Sequence, residues 1–108
     1  MKIKIIKLFL ITFIINFAFA QTQDELNLLR LAQSFERAGE YERALKIYEE
    51  LYNNNPTNRV YLEAIVRLNT QTKNYDRAIK LAQSWLSSHP DDIDMRKSLI
   101  IFIFIVRT

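Results

Sequence analysis

One segment of this chain occurs twice, 34 residues apart: Tyr41-Glu42-Arg43-Ala44-Leu45-Lys46-Ile47 returns as Tyr75-Asp76-Arg77-Ala78-Ile79-Lys80-Leu81, and Pro56 returns as Pro90. A fixed period of this length marks a supersecondary unit that cannot bury its apolar face alone and must stack on its neighbours. It restricts the chain to an all-α stack of short helix pairs and decides how the other residues are read.

The first 20 residues stand outside the period. Lys2, Lys4 and Lys7 form a basic start, and an apolar run follows from Leu8 to Phe19, interrupted by Thr12 and Asn16. Ala18-Phe19-Ala20 then places small residues at alternate positions. This order describes an export signal peptide over residues 1–20, cleaved ahead of Gln21, with an uncleaved membrane anchor as the other reading. Three of the 15 Lys+Arg residues fall in that leader, leaving 12 basic against 12 acidic residues in the remainder. The formal charge of +3 therefore carries no nucleic-acid signal. There is no Cys, which removes disulfides, thiolate metal sites and a thiol nucleophile from consideration.

Helical periodicity fills the remainder. Thr22-Gln23-Asp24-Glu25 is spaced as a capping box, followed by Leu28, Leu31, Ala32 and Phe35 on one helical face. Gly39 predicts a left-handed helix end. A second helix is predicted from about Tyr41 to Asn53, burying Tyr41, Ala44, Leu45, Tyr48, Leu51 and Tyr52, and it must stop before Pro56. Val60, Leu62, Ile65, Val66 and Leu68 mark a third helix. Asn74 is placed to cap a fourth, running from about Tyr75 to Ser88 with Ala78, Ile79, Ala82, Trp85 and Leu86 inside. His89-Pro90 repeats the break, and Asp91, Asp92 and Asp94 favour the start of a fifth helix.

Leu28, Leu31, Ala32, Gly39, Tyr41, Ala44, Tyr48 and Pro56 in one unit, with Leu62, Ile65, Tyr75, Ala78 and Pro90 in the next, carry a resemblance to the tetratricopeptide repeat, two antiparallel helices per 34 residues. The resemblance implies repeats over residues 25–58 and 59–92 and part of a third over 93–108, all within a domain spanning 21–108. The second unit departs from the pattern, with Val66 in place of a small residue, Asn69 in place of an aromatic, and Ala82 and Trp85 in inverted order. In this family the first helix of each pair lines a concave groove that takes peptides or partner helices. Carried over, that geometry implies a groove of Leu29, Arg30, Gln33 and Arg37 with Glu63, Ala64, Arg67 and Gln71, suited to an acidic group near Arg30 and Arg67. The subfamily that clamps a C-terminal carboxylate uses Lys and Asn where this chain has Leu29, Gln33, Ala64, Asp94 and Ser98, so that ligand class is not implied.

No catalytic residue, metal ligand or cofactor is expected. Glu49 and Glu50 are adjacent and diverge by about 100° on a helix. Glu63 and Arg67 are spaced as an exposed i, i+4 ion pair. The three aspartates are accounted for by capping, His89 by its turn, and a single glycine leaves no phosphate loop. Leu99–Val106 is an unbroken apolar run in which Leu99, Ile100 and Ile103 fit a buried face, while Ile101, Phe102, Phe104 and Ile105 do not. It predicts a longer repeat protein cut short, an end that pairs with another copy or protein, or contact with a membrane surface. The expected role is a non-enzymatic, exported protein-interaction module of the bacterial envelope or periplasm, with a protein or peptide partner. The alternative is a membrane-associated structural protein held by its leader and apolar tail.

Overall fold

The computed structural model describes residues 2–107, with side chains described at 2–14 and 23–107. Five helices follow one another: α1 (Lys2–Arg37), α2 (Tyr41–Asn54), α3 (Arg59–Gln71), α4 (Tyr75–Ser88) and α5 (Ile93–Arg107). Among the described residues the close backbone approaches are between helices consecutive in sequence, and side chains alone reach across to the next helix but one. The zigzag makes two layers, with α1, α3 and α5 on one side and α2 and α4 on the other. Long side chains bridge within each layer, Arg67 of α3 to Glu36 of α1 and Arg77 of α4 to Glu49 of α2. This is the all-α helical repeat that the period requires.

The expected helix start at Thr22 is absent, because α1 is one continuous helix from Lys2 to Arg37. The run from Leu8 to Ala20 holds neither Gly nor Pro, and Leu, Ile and Ala continue a helix at little expense. The Glu25 carboxylate accepts a bond from the Tyr61 hydroxyl of α3. The side chains of Thr22 and of Ala18, Phe19, Ala20 and Gln21, where cleavage is expected, lie outside the described residues.

Gly39 ends α1 as its sequence position predicts. Its φ is +78°, its N–H reaches the Glu36 carbonyl at 3.0 Å, and the Glu40 N–H reaches Phe35 at 2.9 Å. These two bonds form a Schellman cap. One period later Lys73 adopts φ +62°, with Lys73 N–H to Thr70 at 3.1 Å and Asn74 N–H to Asn69 at 2.7 Å. Asn74 does stand ahead of α4, but its side chain makes no capping bond. Asn58 is the side-chain cap of α3, its Oδ1 accepting from the backbone of Val60 and Tyr61. Asp92 does the same for α5, its Oδ1 accepting from Met95 N–H at 3.1 Å.

The core has two centres, both touching α3. Tyr61, Ala64, Ile65 and Leu68 meet Ala32 of α1 and Ala44, Leu45, Tyr48 and Leu51 of α2. Leu62 and Val66 meet Ala78, Ala82 and Trp85 of α4 and Met95 of α5. The inverted Ala82 and Trp85 are both buried there. Three apolar residues assigned to buried faces are exposed. Leu31 is 46 % exposed because it sits where Ile65 sits one repeat later, and among the described residues no helix covers that side of α1. Val60 is 62 % exposed, with its neighbour Tyr61 taking the buried face about 100° away. Ile100 is exposed, whereas Met95, Leu99 and Phe102 turn toward the second core centre formed by α3 and α4. Asn69 is fully buried, its Nδ2 donating to the Ile65 carbonyl at 2.8 Å and its Oδ1 without a partner.

Candidate functional site

Arg59, Glu63, Arg67 and Gln71 stand four apart along α3, and that spacing aligns them on one face. They form the floor of the odd-numbered layer. Between α3 and α5 lies a cleft of about 250 Å³, where Arg59, Glu63 and Arg67 face Asp94, Ser98 and Phe102. A second cleft of about 470 Å³ opens between α1 and the end of α3, lined by Gln33, Glu36, Arg37, Tyr41 and Gln71.

Two arginines are committed to struts. Arg67 grips Glu36 with two parallel bonds of 2.9 Å, Nε to Oε2 and Nη2 to Oε1, and the Tyr48 hydroxyl donates to Glu36 Oε1 at 3.2 Å. The bond from Arg67 is the main reason the Glu36 carboxyl titrates below its ordinary value, against the opposing pull of burial. Arg59 grips Asp92 in the same two-pronged way, Nε to Oδ2 at 2.7 Å and Nη2 to Oδ1 at 2.9 Å, while its Nη1 pairs with Glu63. Trp85 Nε1–H adds a bond of 2.8 Å to Asp92 Oδ2. Arg59 foremost, with the Met95 N–H and Trp85 assisting, holds Asp92 far below the usual carboxylate range. The expected Glu63–Arg67 pair is therefore replaced. Arg67 takes the two-pronged bond across helices in preference to a single exposed i, i+4 contact, and Glu63 pairs instead with Arg59, four residues before it.

The sequence-derived groove residues divide. Gln33, Arg37 and Gln71 come together in the α1–α3 cleft, and Glu63 and Arg67 in the α3–α5 cleft. Leu29 is half-buried against the first core centre, and Ala64 is 2 % exposed, so neither faces a ligand. Arg30 is exposed and lines neither cleft. Among the described residues Arg30 and Arg37 make no ion pair, which leaves them open cations in the repeat portion of α1. Sequence reasoning missed Arg59, Glu36 and Tyr41. Extending the four-residue ladder one step back from Glu63 reaches Arg59. Glu36 pairs across 31 residues and has no local signal.

Away from the groove, His89 stacks on Trp85 with ring centres 3.7 Å apart and planes 10° from parallel, as a turn residue closing α4. Among the described residues no helix is long and apolar enough to cross a membrane.

A family model, the tetratricopeptide repeat, matches residues 35–99. No curated protein matches the chain.

Proposed function

The chain belongs to the tetratricopeptide repeat family, a family of protein-interaction modules, and we propose that its odd-numbered helices dock a peptide or helix of a protein partner. The observation that carries this reading is the α1–α3 cleft. There Arg37, Gln33, Gln71 and the Tyr41 ring stand open together, while the arginines deeper in the layer are held by Glu36 and Asp92. A guanidinium and two side-chain amides supply donors and acceptors for a main chain and a carboxylate, with no nucleophile–base pair beside them. The role is binding rather than catalysis. A photo-crosslinking residue at Gln33 or Gln71 is expected to trap one discrete protein in living cells, and the same residue at Lys80 on α4 to trap none. Equal capture from both positions, or from neither, would sink the groove.

The place of action we propose is the bacterial cell envelope, with residues 1–20 as the export leader. The basic start and the small residues ahead of Gln21 support it. A chain in the periplasmic fraction whose measured mass begins at Gln21 is the expected result. A second reading is favoured by a separate observation. Ile3, Ile6, Phe9, Leu10 and Phe13 are exposed around the first half of α1, as are Ile100, Ile101 and Phe104 on α5. Surfaces of this kind suit contact with a membrane interface. Full-length chain recovered with membranes and released only by detergent would favour that structural role over an exported soluble module.

A further inference from the structure

Resting on the groove as the docking face, we infer that it selects an extended segment bearing an acidic residue and an aliphatic residue about five or six positions apart, read by Arg37 at one edge and by Ile101 and Ile105 at the other. The 34-residue period sets the register. Arg37 of α1, Gln71 of α3 and Ile105 of α5 are one another's equivalents, as are Gln33, Arg67 and Ile101. Each trio forms a line across the groove.

Along the first line the chemistry changes from cation to amide to aliphatic. Arg37 makes no ion pair and shares its cleft with Gln71, whose amide both donates and accepts as a peptide unit requires. Ile101 and Ile105 are 57 % and 41 % exposed on the α5 edge. Charge in between is already neutralised. Arg67 is bound to Glu36 and Arg59 to Asp92 and Glu63. Asp94 and Lys97 carry opposite charges three residues apart in sequence, so the start of α5 adds no net cation between the edges. A carboxylate therefore gains an unengaged guanidinium beside the Gln71 amide at the α1 edge, and would compete with Glu36 for Arg67 or with Asp92 for Arg59. Neighbouring helices stand about 10 Å apart, so the edges are roughly 20 Å apart, about six residues of extended chain. The same span needs about thirteen residues of helix.

Panning a randomised peptide library against the full chain tests this. Enrichment of an acidic and an aliphatic residue five or six apart is expected. A labelled selected peptide should then lose about tenfold in affinity when its acid is replaced by the amide. Arg37→Gln should remove that discrimination, and Ile101→Thr with Ile105→Thr should remove discrimination between Leu and Ala in the peptide. These residues are exposed, and an unchanged circular dichroism melt certifies the variants as folded. A spacing near thirteen, enrichment without an acid, or acid preference that survives Arg37→Gln would overturn the inference while leaving the groove as a docking face. Failure to enrich any peptide would overturn both.

Discussion

Lys73 holds, at φ +62°, the left-handed conformation that Gly39 holds one period earlier at φ +78°. An L side chain there costs about 1–2 kcal/mol, while glycine costs about 0.5–1 kcal/mol in unfolded-state entropy, so Lys73→Gly should stabilise the fold by roughly 0.5–1 kcal/mol. A urea melt with an unchanged slope and a higher midpoint is the expected result, and a lower midpoint would mean that Lys73 makes a compensating contact. The two positions also show what a single residue can signal. Gly39 was legible because glycine marks the cap. Lys73 was not, because nothing about lysine predicts positive φ, and only the period points to it. Asn69 was legible as a departure from the aromatic at Phe35. Its complete burial was not, since burial there depends on how the neighbouring helices pack around α3. The groove residues follow the same rule. Helical spacing brought Gln33, Arg37 and Gln71 to one cleft, but Ala64 and Leu29 were drawn into the core by neighbours 12 or more residues away.

Helix α5 is tied to the body at its first turn. Asp92 caps it, accepts the Trp85 N–H of α4 and closes the two-pronged bond with Arg59 of α3, with its side chain 12 % exposed. The cover comes from these partners rather than from a deep interior, so solvent screening trims the ionic share. Loss of the cap and the charged bonds in Asp92→Ala should destabilise the protein by about 2–3 kcal/mol, and Asp92→Asn, which keeps an acceptor, by about half as much. Chemical denaturation of the three proteins tests the order. The carboxyl's folded pKa is depressed, so its stabilisation is complete above the unfolded value of about 4 and is lost as pH falls below it. Glu36 adds a loss of the same sign, so Asp92→Asn should flatten the acid limb of stability without removing it. At the other end of the scale, burial first and then the bond to Glu25 push the Tyr61 hydroxyl up to about 12. Its stabilisation is intact below about pH 10 and is lost as pH rises toward 12. Tyr61→Phe should shorten that alkaline limb, with Tyr48 and Tyr52, both raised chiefly by burial, accounting for what remains. Identical alkaline limbs in wild type and Tyr61→Phe would show that the hydroxyl is ionised without effect on the fold.

In a stack whose close backbone approaches join helices consecutive in sequence, stability is largely a chain of local interfaces rather than one cooperative core. Helix α3 sits between two such interfaces and buries seven residues. Helix α5 has one close backbone neighbour, α4, among the described residues and buries Met95 alone. Amide hydrogen exchange should therefore be slowest in α3 and in the parts of α2 and α4 that face it, and fastest in the last two turns of α5. Asp92→Asn should deepen that contrast, speeding α5, the end of α4 and the Arg59 turn of α3, which Asp92 ties together, while changing α2, which it does not touch, least. The measurement also reports on the exposed apolar surface. Ile100, Ile101 and Phe104 are at least half exposed, which predicts little protection there at low protein concentration. If the backbone from Ile100 to Val106 instead exchanges as slowly as α3, something covers that face, and a concentration dependence of the protection would identify it as a second copy of the chain.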